Sequence, residues 1–111
     1  MVKHNNMSIP HYLANFFAGL FLCNCLPHLA SGLRGEPFPT PFAKPPGKAD
    51  SSSVVNFLWG AFNLLVGTVL VVFYPIFVGL SVNFGLFVVG FLLIGIHLAR
   101  HFEKVRKAKN R

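Results

Sequence analysis

The residues best suited to chemistry in this chain are three histidines, His28, His97 and His101. His97 and His101 are four residues apart, so on a helix they lie one turn apart on the same side. Imidazoles at this spacing can chelate a transition metal, and His28 is available as a third ligand. The pattern therefore predicts a candidate metal site at His28, His97 and His101.

Three other interpretations of the histidines stay open. Two histidines from different helices can ligate a haem iron. A histidine beside Asn56 can relay protons or bind a polar headgroup. In the structural interpretation, His97 and His101 lie at the membrane interface, and His28 hydrogen bonds an asparagine or a backbone carbonyl freed by Pro27. The identity of a cofactor stays unknown.

Catalytic groups are scarce in the apolar part of the sequence. No apolar stretch carries a carboxylate, which argues against a proton pump or a cation transporter. No nucleophile is accompanied by a base and an orienting acid. We therefore expect a protein that is not an enzyme.

The composition is that of a membrane protein. The chain has 111 residues, of which 53% are hydrophobic and 12% charged, whereas soluble domains carry about 25% charged residues. The charges cluster, and the stretches between them match the roughly 20 apolar residues that cross a bilayer. These features predict a single all-α membrane domain, residues 1–111, with three transmembrane helices.

The expected boundaries follow from the apolar stretches and the prolines. The first span covers about 11–33, a proline-rich cytoplasmic loop 34–50, the second span about 53–74, the third about 82–102, and a basic cytoplasmic tail 103–111. The connection at 75–81 is short and apolar. It predicts that helices 2 and 3 form a hairpin.

A stripe of small and polar residues runs along the second span. Asn56, Gly60, Asn63 and Gly67 fall within about 80° on one side of a helix. Small residues allow close helix approach, and asparagines form interhelical hydrogen bonds. Gly90 of the third span lies on a similar face, and we expect it to face Gly60 and Gly67 across the hairpin.

Lysine and arginine are distributed unequally between the two sides of the membrane. The side of the N-terminus and the 75–81 turn has only Lys3. The positive-inside rule then predicts an N-out/C-in orientation. The basic tail can also contact anionic lipid or nucleic acid, but topology explains it more simply, and we expect no nucleic-acid partner. The lysines and arginines on the opposite side of the membrane, that of the 34–50 loop and the tail, are Arg34, Lys44, Lys48, Arg100, Lys104, Arg106, Lys107, Lys109 and Arg111.

Several short motifs resemble a family of uncharacterised small bacterial polytopic membrane proteins. The resemblance covers about residues 15–105, implies a location in the bacterial inner membrane, and implies no activity. It rests on Pro27-His28, Ser31-Gly32, Gly35, Thr40-Pro41-Phe42-Ala43, Ser51-Ser52, Asn56, Trp59-Gly60 and Asn63.

Three helices alone cover two polar faces poorly, so we expect a homo-oligomer or a larger membrane complex within the lipid bilayer. The leading hypothesis is a small integral membrane protein that acts by helix–helix association as a structural or accessory subunit. The alternative is a small transporter-like or metal- or haem-binding protein that uses the cytoplasmic-side histidine and asparagine cluster.

Overall fold

The computed structural model describes residues 8–110, and within them the chain forms three long helices and one small pair of strands. In chain order these are α1 (Ile9–Leu33), β1 (Phe38–Pro39), β2 (Asp50–Ser51), α2 (Ser53–Phe73) and α3 (Val82–Lys109). Each helix is long and apolar enough to cross a membrane, which confirms the prediction of three such helices. Lys3 and Arg111, used for the predicted orientation, lie outside the described residues.

A serine caps the start of each helix. The side-chain oxygens of Ser8, Ser52 and Ser81 each accept a hydrogen bond from the backbone N–H three residues further on, at 3.1–3.3 Å. This bond satisfies one of the amide groups that a helix leaves free at its N-terminus. In α1 a proline follows in the first turn, where its missing N–H costs nothing. The helix starts are therefore encoded locally.

Helix α1 packs antiparallel against α2. A Cβ atom built at Gly60 would lie 2.8 Å from the Leu29 backbone nitrogen, and one at Gly67 would lie 2.6 Å from the Leu22 side chain. On α1, a Cβ atom built at Gly32 would lie similarly close to the backbone of Phe57. Glycines on both helices thus let the two backbones approach closely.

Helix α1 also packs parallel against α3. A Cβ at Gly90 would collide with the Phe16 carbonyl oxygen, and one at Gly19 would collide with the Phe87 carbonyl oxygen. Further along, Gly95 lies against the sulfur of Cys23. Along the whole seam, the contacts Asn15–Asn83, Cys23–Gly95 and His28–Phe102 rise together in residue number. The two helices therefore run in the same direction, and α1 is the shared neighbour of α2 and α3.

The expected contact of Gly90 with Gly60 and Gly67 is wrong. All three glycines pack against α1 instead. The physical reason is that α1 carries small residues toward both neighbours, Gly32 toward α2 and Gly19 toward α3. Close approach is therefore available on two sides of α1, and each glycine face is filled by an α1 side chain or carbonyl.

The connection from α1 to α2 is more ordered than an extended proline-rich loop. Phe38 pairs with Ser51 and Pro39 with Asp50 in an antiparallel ladder, and the Thr40 and Ser51 hydroxyls are hydrogen-bonded. Proline lacks the N–H that a longer ladder needs, and the strands are two residues each. The beginning and the end of the loop thus lie side by side.

Helix α3 continues to Lys109, past the predicted end near residue 102. Residues 103–109 are mostly good helix formers, and Glu103 pairs with Lys107 one turn later at 3.6 Å. Basic residues in the last turn also favour the negative end of the helix dipole. At 1.5 Å per residue α3 is about 42 Å long, so its C-terminal turns extend beyond a hydrocarbon core of about 30 Å.

Glycine-to-alanine substitutions on α3 test this packing. Gly90→Ala should lower the free energy of unfolding by about 1–3 kcal/mol, because its Cβ overpacks the seam with α1. The matched control is Gly85→Ala, since nothing lies within 4 Å of a Cβ there. The measurement is the denaturant midpoint of unfolding in detergent micelles. Equal losses in the two variants would contradict the assigned seam.

Candidate functional site

The loop end of the bundle contains a buried histidine–asparagine pair. His28 of α1 is 2% exposed, and Asn56, in the first turn of α2, is fully buried. The His28 Nδ1 and the Asn56 Oδ1 are 2.8 Å apart. This hydrogen bond joins α1 to α2 at the point where α2 begins.

The amide nitrogen of Asn56 decides which atom donates in this pair. It faces three backbone carbonyls, those of Phe38 at 2.8 Å, Ser52 at 3.0 Å and Ser51 at 3.2 Å. The Asn56 oxygen is left to accept, so His28 Nδ1 carries a proton and donates. Asn56 therefore connects α1, β1 and the start of α2 through one side chain.

Aromatic rings surround the His28 imidazole. Its centroid lies 5.6 Å from that of Phe38 and 6.4 Å from those of Trp59 and Phe102, each in an edge-to-face arrangement. These rings come from β1, α2 and α3. The polar pair thus sits in an apolar enclosure, where its hydrogen bond has little competition from water.

A second amide pair lies near the middle of the bundle. The Asn24 amide donates to the Asn63 oxygen at 2.9 Å, and the Asn63 amide donates to the Trp59 carbonyl at 2.8 Å. Asn63 is 1% exposed. The pair joins α1 to α2 roughly two turns from the first.

A third pair joins α1 to α3 at the opposite end. The Asn83 amide donates to the Asn15 oxygen at 2.6 Å, and the Asn15 amide donates to the Tyr74 carbonyl at 2.8 Å. Both asparagines are buried. The predicted site did not include Asn15, although an asparagine inside an apolar span is a signal of a buried polar contact.

The predicted stripe on α2 faces α1 along its whole length. Asn56, Gly60, Asn63 and Gly67 are the buried residues of α2, and Gly90 is buried on α3. The asparagines supply hydrogen bonds and the glycines supply close approach. Polar and small residues thus alternate along a single seam.

The predicted metal ligands are not brought together. His97 is exposed on the outer side of α3, and its ring stacks on that of His101 at 6.2 Å. His101 donates from Nε2 to the Gly47 carbonyl at 2.7 Å, while His28 is buried and hydrogen-bonded to Asn56. Among residues 8–110, no three histidine, cysteine or carboxylate side chains are grouped to hold a metal ion.

The helical period explains why His97 was placed on the wrong face. Contacts with α1 advance along α3 in four-residue steps, from Asn83 through Phe87 and Phe91 to Gly95, and each step turns about 40° around the helix. Seven-residue steps lead from Asn83 through Gly90 to His97. The side of α3 that contacts α1 instead moves on to Gly95, against Cys23, and to Phe102, against His28.

The outer side of α3 forms a basic surface at the start of the segment whose charge the sequence explains most simply as a topology signal. His97, Arg100, His101 and Lys104 line an open depression together with Leu93 and Ile96. Arg100 and Lys104 are exposed. This surface is separate from the buried asparagine pairs on the α1 side.

Comparisons of the chain with protein-family models, with curated proteins and with solved structures gave no match. The resemblance to a bacterial membrane-protein family therefore stays an expectation. What is known of the site comes from its own geometry.

Histidine substitutions distinguish the buried site from the exposed one. His28→Ala should lower the free energy of unfolding, because it leaves Asn56 without its histidine donor. A double-mutant cycle with Asn56→Ala should give a coupling energy of about 0.5–2 kcal/mol. The measurement is unfolding in detergent micelles. His97→Ala is the matched control and should change stability little, and a coupling energy near zero would contradict the assigned bond.

Proposed function

We propose that this chain is a small, non-enzymatic, multi-pass protein of the bacterial inner membrane that acts by helix–helix association as a structural or accessory subunit. The observation that carries the proposal is the use of the intramembrane asparagines. Asparagines at three levels of the bundle are hydrogen-bonded to side chains of a neighbouring helix. In hydrocarbon such groups need internal partners, so packing explains these hydrogen bonds without a substrate; among residues 8–110, the Asn83 Oδ1 is the one buried side-chain oxygen or nitrogen without a partner.

The outer faces of α2 and α3 support lateral association. Each of these helices uses one side for α1, and its other side carries large exposed apolar side chains. A membrane helix with one packed side and one open side can bind lipid or a further helix. Examples on α2 are Leu58, Leu65 and Val72, and on α3 Val89, Leu92 and Ile96.

Two forms of the assembly fit these faces. One is a homo-oligomer in which an outer face of α2 or α3 meets a second copy. The other is a larger membrane complex in which this bundle is an accessory subunit. The transporter-like or metal- and haem-binding alternative has less support, because His28 is buried and hydrogen-bonded to Asn56, whereas His97 is exposed and His101 bonds the Gly47 carbonyl.

The proposed topology is three spans in an N-out/C-in orientation, with helices 2 and 3 joined as a hairpin by the short turn at 74–81 while both pack chiefly on α1. Its support is the charge distribution, because the loop at 34–50 and the end of α3 carry most of the lysines and arginines. Such an excess favours the cytoplasmic side. The described turn at 74–81 has no lysine or arginine.

Reporter fusions test the orientation. A cytoplasmically active fluorescent protein fused after Arg111 should fluoresce, and alkaline phosphatase fused there should be inactive. Cysteines placed at Lys44 and Gly79, in a chain with Cys23 and Cys25 changed to serine, provide the matched pair. Only the Gly79 position should react with an impermeant thiol reagent in whole cells. The opposite labelling pattern would overturn the orientation.

The oligomer proposal predicts specific crosslinks. In the same serine background, Leu58→Cys with Leu65→Cys probes the outer face of α2, and Val89→Cys probes that of α3. One of these faces should form intermolecular disulfides on mild oxidation of native membranes, to copies of this chain or to a defined partner subunit. Lys44→Cys in the loop is the control for random collision.

Two results would contradict the proposed function. The first is an uncrosslinked chain that also migrates as a monomer in native-membrane extracts. The second is a Soret absorption band, or a stoichiometric metal, in the purified protein that is lost in both His28→Ala and His97→Ala. The second result would favour the metal- or haem-binding alternative.

A further inference from the structure

The charges of this protein do not balance internally. The chain has ten lysines and arginines and three acidic residues. Each acid is already in an ion pair: Glu36 with Arg34, Glu103 with Lys107, and Asp50 with Lys109. Among residues 8–110, no carboxylate lies within ion-pair distance of Arg100 or Lys104.

Arg100 and Lys104 lie together on the outer side of α3. They are four residues apart, so they face the same direction one turn apart. His97 lies one turn before Arg100, and the three side chains border an open depression of about 610 Å³. Two cationic groups and an imidazole thus converge on one surface that the rest of the chain leaves uncovered.

The apolar part of the same depression indicates its depth in the membrane. Leu93 and Ile96 line it on the N-terminal side and are 56% and 58% exposed. Arg100 is the first charged residue of α3. The depression therefore spans the boundary at which the apolar helix surface gives way to charge.

The loop adds a further positive charge to this surface. His101 donates a hydrogen bond to the Gly47 carbonyl. The next residue, Lys48, then lines a second depression of about 330 Å³ together with His101 and Lys104. His101 thus holds the loop against the helix, so that Lys48 lies on the same surface as Lys104.

We propose that this face of α3 binds the phosphate headgroup of an anionic phospholipid, with the acyl chain against Leu93 and Ile96. Arginine binds phosphate oxygens through parallel N–H groups, and lysine adds a point charge. A free phosphate ion uses the basic groups alone, whereas a lipid uses the basic and apolar parts together. The continuity of the two parts favours the lipid.

Native mass spectrometry tests the proposal. The full chain is released from micelles that contain equal amounts of phosphatidylglycerol and phosphatidylcholine, and retained lipid is counted. The wild type should prefer phosphatidylglycerol. Arg100→Gln with Lys104→Gln should weaken retention roughly 10- to 30-fold, because it removes the two charge-assisted contacts to the phosphate.

The matched control removes the same charge elsewhere. Lys44→Gln with Arg106→Gln leaves the depression intact, because Arg106 lines a separate cleft beside Phe38 and Phe102. It should change the lipid preference less than twofold. Circular dichroism verifies that each variant keeps its helix content. Arg100→Gln alone, at an exposed position, gives an independent test if the double variant does not fold.

Three results would overturn the proposal. One is the absence of a wild-type preference for phosphatidylglycerol over phosphatidylcholine. Another is an equal loss in the test and control variants, which would mean that net charge alone attracts the lipid. The third is displacement of phosphatidylglycerol by millimolar inorganic phosphate, which would assign the basic groups to a free anion.

Discussion

The structure depends on hydrogen bonds between buried polar side chains of different helices. A buried amide that lacks a partner costs free energy, and hydrocarbon offers none. Asn24, Asn56 and Asn83 each bond to a side chain of another helix. Such bonds contribute only about 0.6 kcal/mol each on average, yet their geometry restricts which helix faces can meet.

The three pairs all include α1, and this explains its position in the bundle. Its own polar residues point toward α2 at two levels and toward α3 at a third. Glycines at the same seams let the backbones come close enough for the short amide side chains to meet. Close packing and hydrogen bonding therefore require the same arrangement, which is the consistency expected of a sequence with one preferred fold.

The His28–Asn56 pair has an effect beyond the helices. Through Phe38 and the carbonyls that precede α2, it holds the paired strands of the loop near the end of α1. Phe38 in turn packs on Phe102 of α3 at 4.6 Å between ring centroids. Lys109 pairs with Asp50 at 2.7 Å on the same side. The loop and the helical extension of α3 thus form one folded unit at the charged end of the bundle.

Helix α3 has two chemically different sides as a result. Its inner side contacts α1 through Gly90 and Phe87. Its outer side carries apolar residues and then Arg100 and Lys104. A basic residue on a packed side would need a buried counter-ion, and the chain has no carboxylate in its spans. The basic groups therefore lie where lipid headgroups and water can reach them.

Much of this architecture could be predicted from the sequence, because the signals are local. The number of apolar spans, their capping serines and the buried stripe from Asn56 to Gly67 each follow from neighbouring residues. The helical extension to Lys109 was missed, although its residues favour a helix, because the span was ended where the apolar residues end.

The tertiary structure alone decided which faces meet. A stripe of glycines and asparagines indicates that a face is buried, but not which helix covers it, and here α1 covers both. The turn of α3 placed His97 away from His28. The strands of the loop pair through contacts that join its two ends. The sequence by itself determined the helices and their faces of glycine and asparagine residues, because these depend on local spacing. Their partners depend on contacts between residues far apart in the chain, which spacing along one helix does not specify.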